Sequence, residues 1–193
     1  MGSKMAGNLK TSLIALGGNL PVDADAPQAT LSKAVAALQS DDVVLRRVSR
    51  FFQTPCFPAG AGPDYVNAAV AVETSLTARA LLARLHEIEE QFDRVREQRW
   101  GMRTLDLDLI DHGGAVLPDA DGFARWQGLP LETQMQEAPG QLILPHPRIQ
   151  DRAFVLVPLC DITPRWRHPV LQKTAAGLLA ELPPADVAEV TPL

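Results

Sequence analysis

Two aspartates one residue apart, Asp106 and Asp108, lie in a run from Thr104 to Ile110 in which polar and apolar residues alternate. Leu105, Leu107 and Leu109 take one parity, and Thr104, Asp106 and Asp108 the other. A period of two predicts a strand, with the leucines turned into a core and both carboxylates leaving through the opposite face. At about 3.3 Å of rise per residue the carboxylates stand roughly 7 Å apart, side by side. Neighbouring carboxylates repel unless a cation lies between them, and a hard ion such as Mg²⁺ takes oxygen ligands of this kind. Just upstream, Arg94, Arg96, Arg99 and Arg103 crowd one short segment, and the fork of a guanidinium matches phosphate oxygens. A solvated strand face or an Arg-rich loop explains either feature alone. Their adjacency, with Trp100 and Gly101 between them, points to a site for a metal-bound polyphosphate.

Other elements must position this strand. Thr11 to Leu16 is a short apolar run ending in Gly17-Gly18-Asn19, which predicts a strand entering a tight turn. After Pro27, Leu31, Val35 and Leu38 recur at helical spacing up to Ser40-Asp41-Asp42. Val43 to Phe52 is rich in β-branched and aromatic residues and predicts a second strand. Gln53 to Asp64 is broken by Pro55, Pro58, Pro63, Gly60 and Gly62 and predicts a long, functional loop. In the next strand, Tyr65 to Thr74, Tyr65, Asn67 and Ala69 share one face. Thr77 then caps a helix whose stripe is Leu81, Leu82, Leu85, Ile88 and Phe92, with Glu87, Glu89 and Glu90 nearer its margins. The order β-α-β-β-α-β predicts an α+β, ferredoxin-like arrangement: an antiparallel sheet with helices packed on it, followed by a C-terminal extension. With both helices on one face, the other is free, and Asp106, Asp108, Tyr65 and Asn67 can share it.

Past Gly113 the periodicity fades. Residues 117–141 are expected to be an insertion running over the surface, Leu142 to Leu144 a short strand, and Pro145-His146-Pro147-Arg148 a rigid turn. Phe154 to Leu159 is a core helix or strand, Thr174 to Leu182 a small helix, and 183–193 a frayed tail. The whole chain, 1–193, is expected to form one domain, with 1–10 a disordered or expression-derived start.

Composition narrows the function. The chain has 193 residues, 46% of them hydrophobic, enough for one sizeable core. A net charge of −5 argues against general nucleic-acid binding, so an anionic ligand must be held by a local cluster. No apolar run is long enough to span a bilayer and no signal-peptide core precedes Lys10, so a cytoplasmic protein is expected. Cys56 and Cys160 are expected to be reduced, without metal-ligand spacing.

The stretch Arg99 to Ile110 resembles the signature of the 6-hydroxymethyl-7,8-dihydropterin pyrophosphokinase family, Arg-Trp-Gly-Pro-Arg-Thr-Leu-Asp-Leu-Asp. The similarity runs from about Leu13 to Pro164. It includes Ala-Leu-Gly-Gly-Asn-Leu at 15–20, Gln-Thr-Pro at 53–55, Asp-Tyr-Val-Asn-Ala-Ala-Val at 64–70, Pro-His-Pro-Arg at 145–148 and Asp-Arg-Ala-Phe-Val-Leu-Val-Pro-Leu at 151–159. The resemblance implies a ferredoxin-like fold and transfer of pyrophosphate from ATP to the pterin hydroxymethyl group, releasing AMP, in folate biosynthesis. By matching position it implies that Asp106 and Asp108 ligate two Mg²⁺ ions. Arg94, Arg96 and Arg103 would contact phosphates, with Trp100 closing over the site. Tyr65 and Phe154 would sandwich the pterin, Asn67 would bond its edge, and Thr54, Pro55 and Phe57 would complete that pocket. His146 and Arg152 would face ATP, and Glu89 and Leu109 would help hold the nucleoside. Met102 stands where the family prefers proline or a small residue, Arg96 to Trp100 is one residue shorter than in some members, and 117–141 is longer than in compact ones.

The partners implied are ATP and the reduced hydroxymethylpterin, with no nucleic acid, no membrane, and a monomer as the simplest state. A Mg²⁺- and ATP-dependent kinase of another small alcohol remains open. So does a metal-independent ligand-binding protein, whereas an RNA-binding module would need a basic face with exposed aromatics.

Overall fold

The computed structural model describes residues 8–22, 25–56, 62–92, 104–130, 133 and 137–193. The described strands are β1 (Lys10–Gly18), β2 (Val43–Val48), β3 (Phe52–Thr54), β4 (Tyr65–Thr74), β5 (Asp106–His112) and β6 (Thr191–Pro192). They form one antiparallel sheet in the order β5-β1-β4-β3-β6, with β2 also pairing with β4. Two helices, α1 (Pro27–Leu38) and α2 (Ala78–Gln91), cross between strands as predicted. The expected second strand is two strands in line along one edge of β4. At the break Ser49 keeps the pairing: its N–H donates to the Ala69 carbonyl and its hydroxyl accepts from the Ala69 N–H, both at 2.9 Å.

Helical and strand periods meet in the main core. Leu31, Ala34, Val35 and Leu38 of α1 and Leu81, Leu85 and Ile88 of α2 pack on Ile14, Leu16, Val66, Ala68, Val70, Val72, Leu105, Leu107 and Leu109. Each fully buried leucine contributes about 2 kcal/mol through water removed from its surface. The Thr77 hydroxyl accepts from the Ala80 N–H and starts α2.

The second face of the sheet is not wholly free. Helices α4 (Ala153–Ile162) and α5 (Ala175–Leu179) cover part of it, placing Val155, Leu156, Leu159, Ile162 and Leu178 on Leu13, Ala15, Ala69, Ala71 and Ile110. The alanines leave room for α4 to lie close to the strands. What remains open is the end that carries Gly17, Asn67 and Asp106.

Two expectations about the C-terminal half are corrected. Within 117–141, α3 (Ala120–Gln127) is capped by Asp119 and buries Phe123 and Trp126 against Ile143. It is a small core of its own rather than a surface excursion. Leu142 to Leu144 forms an isolated bridge, Leu144 with Leu117. Nor is the tail frayed: α6 (Pro184–Ala188) leads to Val190, buried against Phe52 and Ala153, and β6 pairs with β3.

His168 sits at the junction of these cores, fully buried against Trp166 and Phe123 at ring-centroid distances of 5.7 and 5.9 Å. Its Nδ1 accepts the N–H groups of Val170 and Leu171, and burial pushes its pKa down to about 4. The unfolded chain therefore binds a proton that the fold refuses. Stability from this residue is complete above pH 6.5 and is lost as pH falls toward 4, by about 3 kcal/mol in all. Melts of the native chain and of His168→Asn across this window should diverge, with the variant showing the shallower loss. Parallel curves would refute the assignment.

Candidate active site

Strand register brings the predicted residues to one face. Asp106 pairs with Gly17, Gly17 with Asn67, and Asn67 with Phe52, forming one row across four strands. Asp108, Ala15 and Ala69 form the next row. Since strands lie about 4.8 Å apart, the Asp106 and Asn67 backbones are roughly 10 Å apart. Gly17 between them has no side chain, so the row is a trough with carboxylates on one wall and an amide on the other. A Cβ on Gly17 would lie 3.0 Å from the Asn67 Oδ1.

The amide wall is tightly held. Asn67 is 5% exposed, and its Nδ2 donates to the Thr54 hydroxyl at 2.8 Å. Tyr65, half-buried, lies opposite Thr54 in the ladder, and Pro55 follows on the surface. The Asn19 Nδ2 donates to the Pro63 carbonyl, tying the end of β1 to the approach to β4.

On the other wall, Asp106 and Asp108 are both partly exposed. The Arg152 Nη1 lies 3.8 Å from the Asp108 Oδ2, and the same guanidinium stacks over the half-exposed ring of Phe154, 5.7 Å from its centroid. The His146 N–H donates to the Ile110 carbonyl at 2.9 Å, anchoring the expected turn to β5. Its Nδ1 accepts the Arg148 N–H, which leaves the proton on Nε2. Burial, reinforced by Arg152 and Arg148 and opposed by Asp106, pushes the His146 pKa down to about 3. It is a neutral hydrogen-bond donor beside the carboxylates.

Glu89 and Leu109 lie elsewhere. The Leu109 side chain is in the helix-side core, with only its backbone on β5 near the aspartates. Glu89, expected at the helix margin, is 1% exposed, and its Oε1 accepts the Leu107 N–H at 2.8 Å. It fastens α2 to the strand bearing both aspartates. No local pattern signals such a carboxylate. Arg94, Arg96, Trp100, Arg103, Met102 and Phe57 lie outside the described residues.

The donor set suits a hard cation. Asp106 and Asp108 offer carboxylate oxygens, and among the described residues no group of three or more His, Cys, Asp or Glu could hold a metal by itself. Mg²⁺ is commonly held by one or two carboxylates together with phosphate oxygens of its ligand, a pattern to which this pair is suited.

A family model for 7,8-dihydro-6-hydroxymethylpterin-pyrophosphokinase (HPPK) matches residues 13–164. A Synechocystis protein named 2-amino-4-hydroxy-6-hydroxymethyldihydropteridine pyrophosphokinase is 33% identical over 181 residues, covering 94% of this chain and 80% of its own. A Bacillus subtilis protein of the same name is 36% identical over 150 residues, covering 77% and 75%. Among solved structures, wild-type Plasmodium falciparum HPPK-DHPS with pteroate superposes with a TM-score of 0.64 at 12% identity, over 90% of this chain and 44% of that longer one. At that identity the likeness concerns the fold. No helix among the described residues is long and apolar enough to cross a membrane.

Proposed function

The chain belongs to the 7,8-dihydro-6-hydroxymethylpterin-pyrophosphokinase family, and from that premise we propose how its trough carries out the reaction. The protein transfers pyrophosphate from ATP to the hydroxymethyl group of 6-hydroxymethyl-7,8-dihydropterin, releasing AMP, in folate biosynthesis. The observation that carries the reading is the single sheet face on which Asp106 stands across Gly17 from Asn67, with Asp108 in the next row and Tyr65 beside Asn67 by strand parity.

Asp106 and Asp108 would hold two Mg²⁺ ions. A metal held there would supply neutralisation of phosphate charge and would favour ionisation of the attacking alcohol. The remaining work is positioning and electrostatics, as phosphoryl-type transfer requires. His146, neutral, donates from Nε2 to a phosphate oxygen. Arg152 reaches from Asp108 toward the same oxygens, while its stacking on Phe154 links the nucleotide side to the pterin side. Asn67, fixed by Thr54, reads the edge of the pterin ring, and Tyr65 and Phe154 pack its faces, with Pro55 and Phe57 completing the pocket. Arg94, Arg96 and Arg103 supply further charge at the phosphates, and Trp100 closes the site. Glu89 acts as a positioning residue through Leu107, and the Leu109 backbone borders the nucleoside. A monomer in the cytoplasm is the simplest setting.

Product analysis tests the reading. With ATP, Mg²⁺ and the reduced hydroxymethylpterin, AMP should accumulate in step with pterin consumed, and omitting either pterin or metal should stop it. ADP as the nucleotide product would establish single-phosphate transfer and end the proposal.

A further inference from the structure

Residues 183–193 lie beyond 13–164, the stretch that the family model matches, and none of them carries a role in the reaction proposed above. They nevertheless end against a wall of the trough. The row that runs from Asp106 through Gly17 and Asn67 to Phe52 continues to Pro192, because β6 pairs with β3, setting Phe52 opposite Pro192 and Gln53 opposite Thr191. Phe52 and Asn67 are cross-strand neighbours and stand on the same face. Thr54, two residues further along β3, shares that face, and its hydroxyl accepts from the Asn67 amide at 2.8 Å.

The strand that holds the Asn67 amide is thus β3, and it is three residues long. So short a strand makes few ladder bonds, and left as an edge it would open easily. The tail supplies what β3 lacks. On its outer side β6 pairs with it, and the Phe51 carbonyl accepts the Leu193 N–H at 2.9 Å. On its trough face Phe52 is buried against Val190 and Ala153, with Val187 and Leu182 packed at the margin. Ala153 opens α4, which is fixed independently by Val155, Leu156 and Leu159 on the sheet. Slack at Val190 therefore falls on β3 and leaves α4 in place. A second tie between this segment and α4, from Arg50 Nη2 to Asp161 Oδ1 at 2.8 Å, lies at the opposite end of the helix.

We propose that the tail is a positioning element for the pterin: Val190 and β6 hold β3 at the depth and register where Thr54 fixes the Asn67 amide. Val190 acts through Phe52, without touching the ligand. The inference rests on the assignment of Asn67 to the pterin made above. It separates the two substrates, because Asp106 and Asp108 stand on β5 at the other edge of the sheet.

The test uses the full chain carrying Val190→Ala/Thr191→Pro. The first change empties part of the core over Phe52, and the second removes an N–H that by alternation faces β3 as that of Leu193 does. Well below the melting transition, the Kd of the reduced hydroxymethylpterin, measured by calorimetry with Mg²⁺ and a non-hydrolysable ATP analogue present, should rise about tenfold, while kcat and the Kd of the analogue stay within about twofold. Val190→Ala alone should show the same selectivity at a smaller size, and Val190→Ile should bind the pterin as the native chain does. In the ligand-free double variant the NMR signals of the Asn67 side-chain amide should move, and in Val190→Ile they should not. Equal weakening of pterin and nucleotide would mean general loosening and overturn the proposal, as would native pterin affinity in the folded double variant. A native chain that does not bind the pterin would strike the reaction proposed above, while the Asn67 signals would still decide whether the tail holds the clamp.

Discussion

Asp106→Asn/Asp108→Asn should lower kcat/KM for AMP release by about a thousandfold or more while leaving the fold in place. The magnitude follows from charge. Metal held at a transferring phosphate contributes several kcal/mol, and each 1.36 kcal/mol is about tenfold in rate. The structural cost should be small because both side chains are partly exposed. Removing two neighbouring negative charges relieves their repulsion, and the ion pair of Asp108 with Arg152 is a long one at 3.8 Å, of little worth to the fold. A thermal melt within a few degrees of the native chain, together with loss of AMP formation, is the expected pair of results. Near-native turnover in the folded double variant would mean that the carboxylates do not hold the metal.

Gly18→Ala should be strongly destabilising for a change of a single methyl. Neither Gly17 nor Gly18 has a positive φ, so the Gly-Gly-Asn run does not exist for its turn. Gly18 is required by proximity: a Cβ there would lie 2.4 Å from the Thr104 carbonyl oxygen and 3.4 Å from Leu31 Cδ1. Backbone cannot rotate away as a side chain can. The end of β1 must therefore separate from the residue that leads into β5. Overpacking of this kind costs about 3 kcal/mol, or roughly 6–12 °C in melting temperature for a chain of this size. Turnover should fall with it, because β1 sets the position of both aspartates. Gly17→Ala is the control. Its Cβ meets only the Asn67 side chain, so it should melt almost normally and lose pterin affinity instead. A Gly18→Ala chain that melts like the native one would refute the close approach.

Much of the site's face can be read from parity. Tyr65 and Asn67 alternate with Val66 and Ala68, Asp106 and Asp108 with Leu107, and a β-α-β-β-α-β order places these strands on either side of β1. The cover on that face cannot be read the same way. Helix α4 is apolar nearly all round, so its sequence does not say which surface it meets. Ser49 is invisible because a hydroxyl that stands in for a backbone group leaves no periodic trace. Within the 117–141 stretch, α3 is two turns long and buries only Phe123 and Trp126, too few for a helical stripe to emerge. The tail is ordered by Val190 and β6 meeting Phe52 and Gln53, contacts across most of the chain. Glu89 and Asp111 mark the same limit. Each is a carboxylate buried by tertiary packing, one satisfied by a strand N–H and one turned inward by a bulge.

The last strand also decides where the sheet can stop growing. A flank of unpaired N–H and C=O groups is a template on which a neighbouring chain can add a strand and start aggregation. Directly after β6 the Leu193 N–H donates inward to the Phe51 carbonyl at 2.9 Å. By alternation, residue 192 faces outward, and that residue is a proline without an N–H. The flank beside β3, next to the wall that carries Asn67 and Thr54, thus ends on a strand that pairs inward but lacks that outward donor. At that position the border strand of the trough offers a neighbouring strand no N–H to pair with.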